Sequence, residues 1–595
     1  MVLSKGKTWQ YVGITSFKGK LGLIFLFLLL ALPAFASGGA CPTGATYGPN
    51  NNATLSSLGV TSCYYISAAG ADTNTGTDET HPWLHAPQMP NCSGNCATVQ
   101  SGGIPAGTGI ILRGGDTWHF GNSSASPYTG GTWDFNTSPY PSYNGTSAHP
   151  IYLGVDQTWY TGSSWARPIL TGDGNLCGPS TVNGTTCISG LIPGSSTITQ
   201  YYVSSCPYQI SSSNNVLELD NATNYIVDNF EMTGICLNSS ATQNAYIRYG
   251  SLTGPVTFLS LYIHGWTHTA FSGPNGSCSG VCWGILAFWG GGAGASKGET
   301  LKYVIVDGAD SDGEAGGFLD GGGYNVGWSV IRYTSQGLVS NMHLFHDSIY
   351  EYFYENGHSN MWESTGPDNA GTNAVYNNLF RHLEVSGGYG GEGFNTEPPT
   401  GTTDYFFNNI WYDVGSMEEF NLSPGVGTTY VANNTIDWGT GNTFGCPGVL
   451  TAINNHYLTE GSSVYGVGGG GCTLTASKNI QMNHATATSD GYATSETYVF
   501  SPTTSNSPTV GAGTNEQSAM CAALSTAAGS DPTLSDAAAA CSSDTRYSCT
   551  YNTSNHTVSC PARTAVARPP SEAWDVGAYQ LTGMNPPTNL TATVQ

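Results

Sequence analysis

Positive charge is what this chain most clearly lacks. Only 15 of its 595 residues are Lys or Arg, whereas 39 are Asp or Glu, and the formal net charge is −24. Nucleic acids and anionic membranes are themselves negative, so a surface of this composition repels both. We therefore expect neither of them as a partner.

Long apolar runs are also lacking beyond the N-terminus. Residues 1–36 combine a basic leader with an apolar run from Leu21 to Leu32 and the small-x-small pattern Ala34-Phe35-Ala36, as in an export signal. A membrane-spanning helix needs roughly 20 apolar residues, so we expect a secreted or cell-surface protein that does not span the membrane. Removing this leader leaves 11 basic and 39 acidic residues, a net charge of −28.

Asn-Gly turns, which join paired antiparallel strands, are scarce, and a different Asn phrase recurs instead. It is written four times, as Asn377-Asn378-Leu379-Phe380, Asn408-Asn409-Ile410-Trp411, Asn433-Asn434-Thr435-Ile436 and Asn454-Asn455-His456-Tyr457. The steps between these phrases vary, which suits a coil of short strands better than a helical repeat. Stacked coils would place the apolar residues in one core and the Asn residues in an amide ladder at one corner. The pattern predicts a parallel β-solenoid.

The apolar positions of the repeat continue upstream, where the preceding Asn residues occur less regularly. The apolar anchors are Phe230, Ile263, Val306, Ile331 and Ile349, followed by Phe380, Trp411 and Ile436. A β-sandwich is the alternative, but its strands would recur about every 8–12 residues. We therefore predict one all-β, single-stranded solenoid over residues 121–582, with long loops.

Residues 37–120 are expected to form an N-terminal cap and first coil. They contain Tyr64-Tyr65-Ile66-Ser67, the loop Gly70-Ala71-Asp72-Thr73-Asn74-Thr75-Gly76-Thr77, and Gly114-Gly115-Asp116. With Trp574-Asp575-Val576-Gly577 near the other end, these phrases resemble exported right-handed parallel β-helix proteins of the pectate-lyase-like superfamily. The resemblance implies fold more than chemistry, because that superfamily holds lyases, hydrolases, epimerases and adhesins. Residues 583–595 resemble the first strand of a fibronectin-III or immunoglobulin-like module.

The sixteen Cys of an exported chain favour disulfides. The sequence does not fix their connectivity, but we expect most couples to join sequence neighbours, because short loops are the least costly to close. The expected couples are Cys41/Cys63, Cys92/Cys96, Cys177/Cys187, Cys206/Cys236, Cys278/Cys282, Cys446/Cys472, Cys521/Cys541 and Cys549/Cys560.

The loop oxygens of Asp72, Asn74 and Asp78 suggest two readings. They could hold a structural Ca²⁺, which takes six to eight oxygen ligands, or they could satisfy the backbone of their own loop. No cofactor is required in either case.

Ionisable residues concentrate between Asp307 and Glu419. The residue after each anchor should point outward, and this places Arg381 between Tyr350 and Tyr412 on adjacent coils. That trio is either the floor of a sugar-binding groove or a solvated cation–π stack.

A second strand per coil carries Trp362-Glu363, then Phe394-Asn395-Thr396-Glu397, then Phe420-Asn421. Aligning the aromatic residues brings Glu363, Asn395 and Glu397 together, with His358 and Glu392 approaching from the preceding turns. A slip of one at Met361 would favour Trp362 instead. We predict Glu363, Glu397, His358 and Arg381 as catalytic, and Tyr350, Tyr412, Trp362, Asn395 and Glu392 as substrate-binding.

Carboxylate pairs on a β-helix fit either geometry of glycoside hydrolysis. The motifs of polygalacturonases are not matched, and a lyase would depend on Arg332 or Arg381 as its base. The sequence therefore predicts a secreted, monomeric protein that cleaves a polysaccharide or matrix glycan, more as a hydrolase than as a lyase. The alternative is a non-catalytic glycan-binding adhesin or cell-surface scaffold.

Overall fold

The computed structural model describes most of the chain between residues 38 and 581. The described ranges are 38–48, 53–135, 143–174, 177–178, 181–182, 187–189, 201–203, 207–208, 215–237, 244–250, 254–269, 285–290, 298–311, 316–320, 325–334, 336–339, 343–354, 362–365, 371–384, 394–397, 400–414, 419–422, 427–438, 443–444, 448–460 and 473–581. The predicted export signal and the C-terminal tail, 583–595, lie outside these ranges.

Three long sheets contain most of the strands, and each coil contributes one strand to each sheet in turn. The first sheet has fourteen strands: Gly39–Ala40, Ser62–Ile66, Thr108–Leu112, Ile151–Gly154, Tyr225–Asp228, Val256–Leu259, Thr300–Lys302, Asn325–Gly327, Leu344–His346, Thr372–Tyr376, Thr403–Phe407, Thr428–Ala432, Val449–Ile453 and Thr473–Ser477. The second has twelve: Thr117–His119, Ile169–Thr171, Glu231–Thr233, Tyr262–His264, Ile305–Asp307, Val330–Thr334, Ile349–Tyr354, Leu379–Glu384, Ile410–Val414, Thr435–Trp438, His456–Thr459 and Ile480–Met482. The third has ten: Trp133–Asp134, Leu217–Glu218, Asn244–Arg248, Ile285–Trp289, Gly316–Asp320, Gln336–Val339, Trp362–Thr365, Phe394–Glu397, Glu419–Leu422 and Thr443–Phe444.

Within these sheets the coil-to-coil pairing is parallel, and only the short first strand, Gly39–Ala40, pairs antiparallel. Connections between parallel strands of one sheet are right-handed. The fold is therefore the right-handed parallel β-helix that the sequence predicts.

Smaller elements complete the described chain. The short strands are Thr46–Tyr47 with Ala53–Thr54, Cys177–Gly178 with Thr181–Val182, Cys187–Ser189 with Tyr201–Val203, Thr267–Thr269 and Cys236–Leu237, and Thr550–Asn552 with Thr557–Ser559. The α-helices are Gly94–Gly102, His484–Ser489, Ala522–Ser530 and Ser535–Cys541, with a π-turn at Gln517–Cys521 and 3₁₀ turns at Leu55–Leu58, Gln157–Trp159, Gly308–Asp310 and Pro532–Leu534.

The predicted apolar stack fills the interior of the helix. Phe380, Trp411 and Ile436 are paired on successive strands and buried, and the rings of Phe380 and Trp411 stack 5.0 Å apart. Two upstream anchors were wrong. The residue in register with Phe380 is Tyr350 rather than Ile349, and the one in register with Ile263 is Met232 rather than Phe230.

The two Asn residues of each phrase have different tasks. The second forms the amide ladder, in which Asn409 Nδ2 donates to Asn434 Oδ1 at 3.1 Å and Asn434 Nδ2 donates to Asn455 Oδ1 at 3.0 Å. The first holds a left-handed turn, with φ of 57° at Asn408 and 56° at Asn433. Asn is among the few non-glycine residues that adopt this conformation readily. The repeated phrase is therefore one turn plus one ladder position.

The β-helix ends earlier than predicted. Its last strand is Ile480–Met482, and residues 483–581 (the C-terminal segment) run back along the outside of the coils. Leu524, Leu534 and Trp574 of this segment pack on outer residues of the first sheet such as Tyr376 and Phe407. Its disulfide-closed hairpin packs Val558 against Tyr262 of the second sheet. The predicted range 121–582 included this segment because its phrase Trp574-Asp575-Val576-Gly577 resembles the closing phrases of β-helix chains.

Four of the predicted disulfides lie within the described residues. They are Cys41–Cys63, Cys92–Cys96, Cys521–Cys541 and Cys549–Cys560, and Cys236 is also disulfide-bonded. Cys278/Cys282 lies outside the described residues, as do Cys206, Cys446 and Cys472, and of Cys177 and Cys187 only the backbone is described. In the described part of the chain, no helix is long and apolar enough to cross a membrane.

Candidate active site on the third sheet

The second sheet carries a ladder of charged residues along its outer side. Its strand pairing aligns Asp307, Arg332, Glu351, Arg381 and Tyr412 on successive coils. Arg381 therefore lies between Glu351 and Tyr412, not between Tyr350 and Tyr412 as predicted. Tyr350 is wholly buried in the core, so it cannot contact a ligand at the surface. The error was a slip of one residue at Ile349.

Each Arg of this ladder is already paired. The guanidinium of Arg381 contacts Glu351 at 2.7 Å and Glu496 of the C-terminal segment at 3.1 Å. That of Arg332 contacts Glu351 at 3.3 Å and Asp307 at 3.6 Å. Burial lowers the pKa of Arg381, but the charge and hydrogen bond of Glu351, together with Tyr547 and Glu496, outweigh burial and the net shift is upward. The ladder is thus balanced within the protein and partly covered by the C-terminal segment.

Three rings that the sequence did not predict as a group stack beside this ladder. Tyr333 and Tyr352 stack at 4.6 Å, and Tyr352 and His382 at 5.1 Å, with each of these residues in the left-handed backbone region. Each occurs two positions after an anchor, which is the signal that could have revealed them. Because the rings cover one another's faces, they do not offer a flat surface to a sugar. The described contacts favour the solvated-stack interpretation of this side.

The third sheet places the predicted carboxylates in a defined register. Trp362 pairs with Phe394 and Glu363 with Asn395, whereas Glu397 pairs with Thr365. This confirms the predicted alignment of the aromatic residues. Only the backbone of these residues is described, and His358 and Glu392 lie outside the described residues. Their catalytic and binding roles remain predictions, and Arg381 belongs to a different sheet.

Residues in register on successive strands of the third sheet form columns along the helix axis. One column is apolar, and the adjacent column is mostly polar. The apolar column contains Trp133, Leu217, Ile247 and Phe288, all in the core, and Trp362 is in register with them. The next position on each strand forms what we call the polar column: Asp134, Glu218, Arg248, Trp289, Asp320, Val339, Glu363, Asn395 and Asn421. Neighbouring strands lie about 4.8 Å apart. The column therefore offers one position per coil along the helix axis.

The described end of the polar column carries a cluster of ionisable groups. Glu218 Oε2 accepts a 2.6 Å hydrogen bond from Asn215, and Arg248 lies 3.6 Å from Glu218 and 3.9 Å from Asp220. The guanidinium of Arg248 sits over the Trp289 ring at 4.4 Å. Burial raises the pKa of Glu218 to about 8, and the charge of Asp220 adds to this shift more than Arg248 opposes it. A buried acid beside charged neighbours is a common form of catalytic group.

The sequence did not predict this cluster. The predicted site lies in the span richest in ionisable residues, whereas Glu218 and Asp220 lie upstream in Leu217-Glu218-Leu219-Asp220. Two acids at alternate positions next to an apolar strand were the available signal, because alternate residues share one side of a strand.

The candidate calcium loop uses its oxygens internally. Asp72 accepts hydrogen bonds from the backbone of Leu84 and His85, the His85 ring and Ser93, while Asp78 accepts from Thr80 and His81. Asn74 donates its side-chain amide to the carbonyl of Pro82. These contacts engage the loop oxygens within the protein, and the calcium alternative stays a prediction.

One other group of side chains could ligate a metal within the described residues. His346, Asp347 and Asp536 bring ligand atoms within 4.8 Å of one another. Arg546, however, contacts Asp347 at 2.5 Å and Asp536 at 2.8 Å. The guanidinium of Arg546 therefore occupies the position that a metal ion would take.

Fold and register together define a right-handed parallel β-helix protein. No protein-family model matches the sequence, and no curated protein matches it. Among solved structures, the chain is similar to a GH136 lacto-N-biosidase from Eubacterium ramulus, with 12% identity and a TM-score of 0.34 over 70% of this chain and 67% of that one. It is similar to pectate lyase Pel9A (13%, 0.38, 76% and 92%) and to a rhamnogalacturonan lyase (12%, 0.32, 75% and 94%). At these scores the similarities carry no argument about activity.

Proposed function

We propose that this protein is an extracellular enzyme that binds a polysaccharide along the polar column of the third sheet and hydrolyses it. The observation that carries the proposal is the column itself. Eight of its nine positions are acidic, basic, amide or indole residues, while the adjoining column is apolar wherever its side chains are described. Sugars are recognised by such a mixture of hydrogen-bonding groups and aromatic surface.

Hydrolysis is favoured over elimination because the two candidate arginine bases keep their protons. A lyase would need Arg332 or Arg381 to give up its proton, yet both contact carboxylates and both have a raised pKa, because nearby acids outweigh burial. A net charge of −28 without the leader would also repel a polyuronate. The negative charge of the protein therefore favours a neutral glycan as its substrate.

Glu363 and Glu397 remain the acid pair that the sequence predicts. Glu397 lies on the next strand, two positions beyond the partner of Glu363. Strand spacing and rise put their backbones roughly 8 Å apart, within the separation of inverting glycosidases. We propose them as one candidate pair on this sheet, with His358 and Glu392 as their neighbours.

Secretion of the protein is part of the same proposal. The N-terminal export pattern and the disulfides are compatible with an oxidising, extracellular location. There the protein would meet cell-wall or matrix glycans as a monomer.

The test is release of reducing ends from a panel of neutral polysaccharides (xylan, mixed-linkage glucan, galactomannan) and acidic ones (polygalacturonate, alginate), with and without EDTA. We expect activity on a neutral member that EDTA does not remove. Glu363→Gln and Glu397→Gln then test the predicted pair, with a loss of about 10²- to 10⁴-fold expected for a general acid. Unchanged activity in both would move the site elsewhere on the helix.

An inactive parent that nevertheless binds a glycan would support the adhesin alternative. In that case Tyr412→Ala, on the second sheet, should weaken binding. Affinity electrophoresis with the same panel measures this directly.

A further inference from the structure

The disulfide-closed hairpin of the C-terminal segment, residues 549–560, lies against the outer side of the second sheet. Its strands Thr550–Asn552 and Thr557–Ser559 pair antiparallel, and a disulfide joins their outer ends. Val558 packs against Tyr262 and Ile305 of the sheet. Because the hairpin is closed by its own hydrogen bonds and its own disulfide, it can leave the sheet without losing its internal structure.

Tyr551 of the hairpin contacts the ladder of charged residues. Its hydroxyl donates to Asp307 at 2.9 Å, and its ring lies 5.4 Å from the guanidinium of Arg332. The same hydroxyl oxygen lies 2.8 Å from Nδ1 of His556. A phenol has one proton to donate and a carboxylate only accepts, so Nδ1 of His556 carries a proton and donates to Tyr551. The neutral His556 ring is then left with Nε2 as its basic site.

His556 belongs to a stack of three rings. Tyr262 stacks on His556 at 4.2 Å and on His264 at 4.1 Å, and two rings at this distance must lie on opposite faces of Tyr262. His264 contacts Asp310 at 2.7 Å and Glu231 at 3.2 Å. Burial lowers the pKa of His264, but the hydrogen bonds and charges of these two acids outweigh burial and raise it to about 9. His264 is therefore a cation at neutral pH.

Two cations oppose the uptake of a proton by His556. One is His264, and the other is Arg167, whose guanidinium donates to the backbone carbonyl of His556 at 3.2 Å. Burial and then the charge of His264 lower the pKa of His556, and Arg167 adds to this shift, whereas Asp307 and Glu231 oppose it. The net shift is downward. The hairpin on the sheet therefore favours the neutral form of His556.

We propose that the disulfide-closed hairpin is a pH-sensitive clamp, in which protonation of His556 releases the hairpin from the second sheet and uncovers Asp307 and Arg332. The proton comes from water and is taken up at Nε2, and no covalent bond changes. On the sheet, the imidazolium of His556 would share one stack with His264 and lie next to Arg167. In the released hairpin it is surrounded by water, so its charge meets no such opposition. The clamp is independent of the proposed hydrolysis on the third sheet.

The direction of the pKa shift fixes the pH range of the clamp. A histidine whose pKa is lowered on the sheet contributes fully to docking above its ordinary value of 6.5, and this contribution is lost as the pH falls below that value. The opening equilibrium rises by at most about tenfold per pH unit, because a single proton is bound. His264 stays charged throughout this range, since its pKa is about 9. Acid therefore opens the clamp and neutral pH closes it.

Hydroxyl-radical footprinting of the full chain, without reductant, measures the release. Tyr262 is 5% exposed beneath the hairpin, so its oxidation reports the uncovered sheet. We expect this oxidation to rise between about pH 7.5 and about pH 5, by up to about tenfold per pH unit. Tyr376, which lies under another part of the C-terminal segment and donates to Asp536, should stay protected. Constant protection of Tyr262 would overturn the clamp, and so would parallel exposure of Tyr376, which would indicate loss of the whole segment.

Two variants that cannot take up the proton test the role of His556. His556→Phe keeps an aromatic ring on Tyr262, and His556→Gln keeps a donor for Tyr551. In either folded variant, the oxidation of Tyr262 should no longer depend on pH in this range, and a persisting dependence would overturn the clamp. The matched control is His81→Phe, at an exposed histidine that contacts Asp78 in the N-terminal cap. It should respond to pH as the parent does, and a lost response would assign the opening to another histidine.

Discussion

Neighbouring asparagines of one phrase can differ sharply in what they contribute. Asn433 is fully buried, yet neither atom of its side-chain amide has a hydrogen-bond partner among the described residues. Asn433 contributes through its backbone, which adopts the left-handed conformation of the turn with φ of 56°. Asn434, by contrast, donates to the carbonyl of Phe406 and to Asn455, and accepts from Asn409. The same residue type is used once for its conformation and once for its amide.

This difference predicts a large loss of stability for one substitution and a small change for another. Asn434→Ala leaves buried groups of Phe406, Asn409 and Asn455 short of partners, each costing about 1–3 kcal/mol. We expect a loss of at least about 3 kcal/mol in the free energy of unfolding by urea. Asn433→Gly keeps the left-handed turn and should change it by less than about 1 kcal/mol. Equal losses in the two variants would contradict the assigned roles.

Glu218 gives the protein a pH dependence with a definite sign. Its pKa is raised from an ordinary value of 4.5 to about 8, so the folded protein holds a proton that the unfolded chain releases. Its contribution to stability is complete below about pH 4.5 and is lost as the pH rises through about 8. The Tm of the parent should therefore fall relative to that of Glu218→Gln between about pH 5 and pH 9. A Tm difference that stays constant over this range would argue against the raised pKa.

The residue scale also shows where sequence reasoning failed. The run Ile349-Tyr350-Glu351-Tyr352 has apolar or aromatic residues at three of its four positions, so alternation alone does not say which one enters the core. The pairing of Tyr350 with Phe380 decides the register, and only the neighbouring coils supply it. A slip of one residue reverses every side chain of a strand, which is why Tyr350 was assigned to the surface.

At the scale of elements, the C-terminal segment is fastened to the turn that follows the first sheet. Asp347 is fully buried and contacts Arg546 at 2.5 Å, and Arg546 also contacts Asp536 at 2.8 Å. His346 adds a contact to Asp347 at 2.8 Å. This network joins the β-helix to the segment that covers its outside.

Removing the arginine should therefore weaken the whole fold. Arg546→Leu leaves Asp347 buried without its main partner, and breaking such a pair costs about 3–5 kcal/mol. We expect a loss near the lower end, because Arg546 is partly exposed. The double variant Asp347→Asn with Arg546→Leu should recover part of the loss in urea unfolding. No recovery would mean that the two residues are not coupled.

Strands and turns were predictable because each coil repeats the same local signals. Turn-forming Asn followed by an apolar residue identified both the corner and the core of the later coils. The upstream coils replace the ladder Asn with Ser329 and Ser348, and there the predicted anchors became less accurate. Ser can accept the same backbone hydrogen bond, but it is too common in this sequence to mark a turn.

At the scale of the whole molecule, a β-helix grows by adding coils to one continuous core. The sequence therefore predicted the overall fold well. It could not predict that residues 483–581 turn back along the outside, because that path depends on contacts distant in sequence. Nor could it predict that Asp134, Glu218, Arg248 and Trp289 come into register, because they lie on four different strands between residues 134 and 289.

The covering role of the C-terminal segment predicts the effect of truncation. A chain that ends at Met482 would expose Leu344, Tyr376 and Phe407 on the outer side of the first sheet, all now buried against this segment. Large exposed apolar patches promote association, so gel filtration should show aggregates or multimers. The matched control ends at Leu581 and should remain monomeric. A monomeric, stable protein ending at Met482 would show that the segment is dispensable.

The central claim is that a polysaccharide binds along the polar column of the third sheet. Its most direct test is a crystal structure of the protein with an oligosaccharide of the glycan that it binds. We predict sugar rings parallel to the helix axis over the polar column of the third sheet. Sugar bound instead on the second sheet, between Arg381 and Tyr412, would contradict it.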